Sequence, residues 1–261
     1  MPSRMSRTIR RSRIAAAVLS AAAAGAVVLP ASSAHADVCW FGSCYSYVTG
    51  RQDAAATGAS VDMYQADPYG VASNGHSLQE LALQNTYDTT TADTIEIGWS
   101  VDPGVNGDYQ THLFVYHWVN GQGTCYNACG FVQTSSTVRA GMTLTPGATG
   151  RFSLVNYNGD WWAYYNNVPF GYFPGSLWGG AFTTAYSISS FGEVASSNQM
   201  ACTQMGDGAY GSSPGSSSIS GFELYGSDAA PDFTVTATDP GYYDYGAATA
   251  TSFNLGGPGA C

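Results

Sequence analysis

Short runs that alternate apolar and polar residues fill the middle of this chain, across residues 95–224, and turn signals separate them. The runs are 94–101, 111–118, 131–138, 152–156, 161–165 and 191–195. Asn120-Gly121 and Asn158-Gly159 stand between such runs, and Asn and Gly tolerate the positive φ angles that tight hairpin turns require. The pattern predicts an all-β fold, an antiparallel β-sandwich of two stacked sheets.

One segment fits a helix instead of a strand. Ser77-Leu78-Gln79-Glu80 matches a capping box, in which Ser77 and Glu80 satisfy the free backbone amides of a first helical turn. A strand is the alternative for the same segment. The helix interpretation gives Glu80 a purely structural role.

The first 36 residues have the features of a signal peptide. Five arginines precede an apolar run over 14–29, and Ala34-His35-Ala36 predicts cleavage before Asp37. The remaining chain keeps three basic residues against eighteen acids, a net charge of −15 with His neutral. Such a surface repels nucleic acid and anionic membranes, which bind through Lys and Arg. We expect a secreted, extracellular monomer with neither of these partners.

After cleavage, 225 residues are enough for one large β domain. We expect residues 37–57 to form a short N-terminal segment with two cysteines, and residues 58–261 to form the sandwich.

All six cysteines follow the predicted cleavage site, and an even count in an exported chain predicts three disulfides. Six cysteines allow fifteen pairings. Cys39 with Cys44 and Cys125 with Cys129 can each close a small loop, which leaves Cys202 with Cys261. Cys125-x3-Cys129 lacks the second Cys/His pair of a zinc site, so we expect no metal and no cofactor.

Most catalytic schemes lack the necessary residues in this chain. His112 and His117 are five residues apart, so on a strand they point to opposite faces and cannot share a metal. Residues 211–215 match G-x-S-x-G, but they lie in a Gly/Ser-rich stretch with no strand before them or helix after them. With every cysteine paired, no thiol is free. Carboxylates are left as the reactive groups.

The chain has four glutamates, and two of them stand out. Glu223 lies on an alternating strand, where an acid facing solvent is the ordinary expectation. Glu96 lies in the predicted strand over residues 94–101. The odd-numbered residues of this strand form an apolar face, and the even-numbered residues other than Glu96 are small. Small neighbours leave room for another molecule beside the Glu96 carboxylate.

Glu193 has small or apolar neighbours and no basic residue within forty positions on either side. Burial raises the pKa of such a carboxyl, and a second carboxylate nearby raises it further. Two acids of this kind can hold one proton between them, so that one acts as a general base on water and the other as a general acid.

Several segments of the chain resemble the neprosin-type glutamic peptidases, in the order in which that family has them and over residues 57–261. They are Gly58-Ala59-Ser60, Thr94-Ile95-Glu96-Ile97-Gly98-Trp99, Gly107-Asp108, Cys125-Tyr126-Asn127-Ala128-Cys129-Gly130-Phe131-Val132-Gln133, Gly159-Asp160-Trp161-Trp162, Gly171-Tyr172-Phe173-Pro174, Gly192-Glu193-Val194, Thr203-Gln204-Met205-Gly206 and Gly256-Gly257-Pro258-Gly259.

The resemblance implies a sandwich with an active-site cleft on a concave sheet face and a peptide or protein substrate. It implies that Glu96 and Glu193 activate a water for cleavage after proline, best at acid pH. Gln133, Tyr172 and Gln204 lie in family-like segments and are candidates for transition-state support. The alternative for Tyr172 and Gln204 is that they form turns or satisfy buried backbone groups.

The chain also departs from the family pattern. Plant members carry a long activation segment, whereas about twenty residues separate the predicted cleavage site from the domain here. The family's late cysteine corresponds to Tyr242, which leaves Cys261 to pair with another partner such as Cys202.

Two other functions fit the same composition. A glycoside hydrolase also uses two carboxylates, but this chain has no clustered acidic motif such as Glu-x-x-Glu. A non-catalytic exported binding domain would use the many Tyr and Trp residues as a contact surface.

Overall fold

The computed structural model describes residues 38–40, 42–88, 90–197 and 201–261. The predicted signal peptide lies outside these residues. The strands, in chain order, are β1 (Val38–Trp40), β2 (Ser43–Ala56), β3 (Gly58–Tyr64), β4 (His76–Gln84), β5 (Thr94–Val101), β6 (His112–Val119), β7 (Gln122–Gly123), β8 (Val132–Gln133), β9 (Thr149–Tyr157), β10 (Asp160–Tyr165), β11 (Val168–Phe173), β12 (Ala185–Ser196), β13 (Ser217–Tyr225), β14 (Thr234–Ala237), β15 (Asp244–Gly246) and β16 (Phe253–Gly256). A short helix α1 (Pro103–Asn106) and a 3-10 turn (Gly175–Trp178) complete the elements.

The strands form two antiparallel sheets stacked as an open sandwich, which confirms the predicted fold class. The first sheet has the order β1-β2-β12-β4-β5-β6-β7, and β14 pairs with β2 as well. The second sheet has the order β15-β16-β13-β3-β9-β10-β11-β8.

Apolar side chains from the facing surfaces of the two sheets form the core. Ile95, Ile97 and Trp99 of β5 are fully buried there, as the alternation of that strand predicted. Trp161 of β10 and Phe152 of β9 come from the other sheet. Because successive residues of a strand point to opposite faces, the even-numbered residues of β5 lie on the outer face of the first sheet.

Both predicted hairpin turns are confirmed. Asn120-Gly121 joins β6 to β7 with φ angles of 51° and 72°. Asn158-Gly159 joins β9 to β10 with φ angles of 54° and 92°. Both residues of each turn have positive φ, which is the backbone conformation that two-residue hairpins need.

The helix interpretation of Ser77-Leu78-Gln79-Glu80 is wrong, and the strand alternative is right. These residues belong to β4, which pairs with β5 on one side and with β12 on the other. Seven of the nine residues of β4 are buried. Hydrogen bonding to two neighbouring strands satisfies the amides that a capping box would have satisfied.

The predicted strand over 131–138 is also largely wrong, because only Val132–Gln133 pairs as a strand. The side-chain amide of Gln133 donates to the backbone oxygens of Ser135 and Val138, each at 2.9 Å. Serine and glutamine side chains that bond to nearby backbone groups favour turns over a regular ladder.

The three predicted disulfides are confirmed as Cys39–Cys44, Cys125–Cys129 and Cys202–Cys261. Within the described ranges, no helix has both the length and the apolar character needed to cross a membrane.

Candidate active site

Three of the four glutamates lie on the outer face of the first sheet, on three neighbouring strands. Glu80 of β4 is opposite Gly98 of β5 and opposite Phe191 of β12. Glu96 precedes Gly98 by two residues, and Glu193 follows Phe191 by two. The three acids therefore form a diagonal with Glu80 in the middle. Each step is one strand, about 4.8 Å, and two residues, about 6.7 Å.

Gly98 lets β4 and β5 approach closely at the middle of this diagonal. A Cβ at position 98 would collide with the backbone oxygen of Gln79 and would lie 2.8 Å from Cα of Glu80. Glycine is therefore required beside Glu80. The small residues that the sequence showed around Glu96 thus serve strand packing as well as open space.

Burial sets the protonation of two of these acids. Glu80 is 4% exposed, and burial, then the charges of Glu96 and Glu193, raise its pKa well above the ordinary value. Burial is also the main cause that raises the pKa of Glu96 to about 8, and the charge of Glu193 adds to it. The indole of Trp118 donates to Oε1 of Glu96 at 2.7 Å and opposes this rise. Both carboxyls hold their protons at acid pH.

Glu193 has different surroundings, because a histidine contacts it. Nε2 of His76 lies 2.6 Å from Oε1 of Glu193, and Nδ1 of His76 lies 3.7 Å from Oδ2 of Asp102. Burial lowers the pKa of His76, but the hydrogen bond and charge of Glu193 and the charge of Asp102 outweigh this and raise it overall. A cation thus accompanies Glu193, which is 9% exposed.

Two tyrosines bring hydroxyl groups to the same acids. Tyr47 of β2 is opposite Glu193 in the register and hydrogen-bonds to it. Burial, followed by the charge of Glu193, raises the pKa of Tyr47. Burial also raises the pKa of Tyr126, and the charges of Glu193, Glu80 and Glu96 add to this effect.

Tyr126 reaches the acids from the loop that the Cys125–Cys129 disulfide closes. Its ring packs against Phe114 and Tyr116 of β6, with centroids 5.4 and 4.7 Å apart. The next residue, Asn127, fixes the loop to β6, because its backbone N–H donates to Val115 O and its side chain accepts from Val115 N. The loop therefore covers part of the glutamate face.

The other sequence-predicted site residues are not on this face. Gln133 lies in β8 at the edge of the second sheet, and its amide donates to backbone oxygens of its own loop and of Phe170. Tyr172 of β11 stacks on Trp162 with ring centroids 4.7 Å apart, also in the second sheet. Gln204 accepts from the backbone N–H of Tyr69 in a loop.

None of these contacts joins Gln133, Tyr172 or Gln204 to the three glutamates. Support of the glutamate chemistry by these residues stays a prediction, and the alternative for Tyr172 and Gln204 is that they form turns or satisfy buried backbone groups.

The sequence reasoning did not single out Glu80, His76, Tyr47 or Tyr126. One signal was present for two of them. In the strand alternative for β4, His76 and Glu80 have the same parity and therefore share a face. The other two depend on pairings between residues far apart in the chain.

The arrangement is suited to acid–base chemistry. It combines a carboxylate that has a cation beside it, carboxyls that hold protons, and hydroxyl donors. Together these groups can activate a water and protonate a reacting group without a bound ion.

The chain is similar to known proteins in sequence and in fold. The family model described as Neprosin matches residues 73–258. A scytalido-glutamic peptidase with a transition state analog inhibitor aligns at 10% identity and a TM-score of 0.48, over 80% of this chain and 97% of that one. SCP-B, a member of the eqolisin family of peptidases, aligns at 10% identity and a TM-score of 0.41, over 80% and 96%.

CG-16, a homodimeric agglutinin from chicken liver, aligns at 12% identity and a TM-score of 0.32, over 56% of this chain and 92% of that one. The family match contains Glu80, Glu96 and Glu193, and it begins after β3 ends.

Proposed function

The chain belongs to the neprosin family, and from this premise we propose that it is a secreted glutamic endopeptidase in which Glu96 and Glu193 hydrolyse peptide bonds. One observation carries the proposal: the two acids share a buried sheet face but have opposite surroundings. Glu193 has the imidazole of His76 at 2.6 Å, whereas burial raises the pKa of Glu96 to about 8. The imidazole of His76 beside Glu193 suits Glu193 to the role of base, and the raised pKa of Glu96 suits Glu96 to the role of acid.

These two roles support a reaction in two steps. In the first, the Glu193 carboxylate takes a proton from a water while the water oxygen bonds to the peptide carbonyl carbon. Glu96 gives its proton to the carbonyl oxygen, so the tetrahedral intermediate is neutral. The hydroxyl of Tyr126 is a further candidate donor to that oxygen, beside Gln133, Tyr172 and Gln204.

In the second step the intermediate collapses and the C–N bond breaks. Glu193 passes its proton to the leaving nitrogen, and Glu96 recovers a proton from a hydroxyl of the intermediate. The products are a carboxylic acid and an amine, and both glutamates return to their first states. No cofactor takes part.

The finer parts of the proposal come from the family resemblance and the sequence. Cleavage after proline and activity at acid pH are what the resemblance implies, and the pKa of about 8 for Glu96 extends the expected activity to neutral pH. Export is supported by the predicted signal peptide and by the three disulfides, which persist in oxidising compartments. A monomeric state, and the absence of nucleic-acid and membrane partners, follow from the acidic composition.

The test is hydrolysis of denatured protein and of proline-containing peptides between about pH 3 and about pH 8. This interval includes the acid range of about pH 3 to 5 in which we expect such a pair of glutamates to be active. We expect Glu96→Gln and Glu193→Gln each to lower kcat/KM by about 10³-fold or more, because each removes a proton transfer. Glu223→Gln is the matched control, because Glu223 is an exposed glutamate of the second sheet.

Activity that persists in both site variants while the fold is intact contradicts the proposal. Release of reducing sugar from polysaccharides would instead favour a glycoside hydrolase. Binding without turnover of either substrate at any pH would favour a non-catalytic domain.

A further inference from the structure

We propose that His76, backed by Asp102, is a positioning residue that pairs with the Glu193 carboxylate and fixes its direction, so that Glu193 is the general base and Glu96 the general acid. This inference rests on the proposed function, because it assigns the two roles within that reaction. The sequence and the family resemblance left the two roles unassigned.

The geometry holds the imidazole between two carboxylates. Nε2 of His76 faces Glu193 at 2.6 Å, and Nδ1 faces Asp102 at 3.7 Å. The side chains of all three residues are 12–13% exposed. A ring with a carboxylate at each nitrogen is best satisfied when both nitrogens carry a proton, because an imidazolium donates from both.

Asp102 is itself fixed in place by the backbone. It is the residue that caps α1, and its Oδ1 accepts from the N–H of Val105 at 3.0 Å. Its other oxygen is the one that faces His76. The chain of contacts therefore runs from the start of α1 through the imidazole to the Glu193 carboxylate.

The charges around Glu193 explain why a cation is needed. Tyr45 and Tyr47 of β2 and Tyr126 of the disulfide loop face it as neutral hydroxyls, as their raised pKa values require. Glu80 of β4 and Glu96 of β5 interact with it as acids, and Asp102 lies on the far side of the His76 ring. Among the described groups that act on Glu193, His76 is the one that carries a positive charge.

Glu96 lacks such a partner. The group that donates to it is the neutral indole of Trp118. A neighbouring cation favours the ionised form of a carboxyl far more than a neutral donor does. The same face thus separates the two acids into a base and an acid.

The first test does not depend on activity. Imidazole NMR titration of the whole folded protein measures the midpoint of His76, with His112 as an internal comparison. His112 also bonds to a carboxylate, Asp108 at 2.9 Å, and lies on the same face. We expect Glu193→Gln to lower the His76 midpoint by about one pH unit or more and to leave the His112 midpoint in place.

The second test is the pH profile of kcat/KM. His76→Gln keeps a donor near Glu193 but removes the positive charge of the imidazolium, which favours a neighbouring carboxylate. We expect the acid limb to move to higher pH by about one unit, and by less in Asp102→Asn. His112→Gln should leave the limb unchanged. A structural role for His76 would lower activity equally at every pH.

An unchanged His76 midpoint in Glu193→Gln overturns the inference, and so does an unmoved acid limb in a folded His76→Gln variant. If His76→Gln does not fold, the Asp102→Asn profile and the NMR titration decide. If the wild type cleaves no peptide while the midpoint shifts as expected, the ion pair stands and the proposed function fails.

Discussion

The outer faces of the two sheets both carry acidic side chains on alternating strands, but the surroundings of these acids are opposite. On the second sheet, Arg151 bonds to Asp62 at 3.2 Å and also to Glu223, whose side chain is 56% exposed. On the first sheet, Glu80, Glu96 and Glu193 share a buried diagonal, and none of the arginine ion pairs in the described part of the chain involves them.

The difference separates acids in exposed ion pairs from acids that are buried. A guanidinium beside an exposed carboxylate forms a solvated ion pair, which contributes little beyond holding the two side chains together. Burial without a guanidinium keeps protons on Glu80 and Glu96 far above the usual range. Apolar and polar residues alternate similarly in the strands of both sheets. The two outer faces differ in the groups that contact their acids.

The largest expected effect is a loss of activity at alkaline pH. In the proposed mechanism Glu96 gives its proton as the acid, and its pKa is raised to about 8. We therefore expect kcat/KM to fall about tenfold per pH unit above this value. Trp118→Phe removes the donor that lowers this pKa, so the alkaline limb should move further up.

The measurement is kcat/KM from pH 5 to pH 10 on one peptide, with both proteins in the same buffers. A fall in kcat/KM that begins in the ordinary glutamate range, about pH 4 to 5, would mean that Glu96 is as solvated as Glu223. It would contradict the difference between the two faces.

The second effect is on stability. A carboxyl whose pKa is raised in the fold favours the folded state below its unfolded pKa of about 4.3. That contribution is lost as the pH rises through the folded pKa. Because Glu80 is such a group, we expect Glu80→Gln to raise the free energy of unfolding at pH 7 by roughly 1–3 kcal/mol and to change it little at pH 4.

Urea denaturation at the two pH values measures this difference. Glu223→Gln serves as the exposed control and should change stability by less than about 0.5 kcal/mol at either pH. A gain of equal size at both pH values would show that the glutamine acts through packing and not through the charge of Glu80.

The smallest effect is expected on the second sheet. Arg151→Gln removes the partner of Asp62 and Glu223, but these acids are 34% and 56% exposed, so water replaces much of the interaction. We expect a loss of about 1 kcal/mol or less in the free energy of unfolding, and an unchanged pH profile of kcat/KM. A shifted profile would mean that the two faces are coupled through the core.

Much of the fold could be predicted because its signals are local. Alternation over residues 94–101 corresponds to β5, and the two Asn-Gly turns have the backbone that those residues favour. The failures occurred where local signals compete. Ser77-x-x-Glu80 fits a capping box, and only pairing with β5 and β12 makes it a strand.

The candidate site was predictable in part for the same reason. Glu96 and Glu193 were visible through their small and apolar neighbours. His76 was not, because its contact with Glu193 joins residues 117 positions apart. Tyr126 lies in a family-like segment, but the sequence does not predict its position over the acids. That position depends on how the loop folds back on β6.

The strand β2 has a consequence for how such a protein can be processed. It precedes the segment matched by the family model, yet it pairs with β12 over the length that contains Glu193, and it supplies Tyr47. A protease that removed everything before residue 58 would uncover the backbone edge of β12 and leave it open to pairing with another chain. Trimming to the recognisable domain would therefore be a route to inactivation and aggregation, and not to maturation.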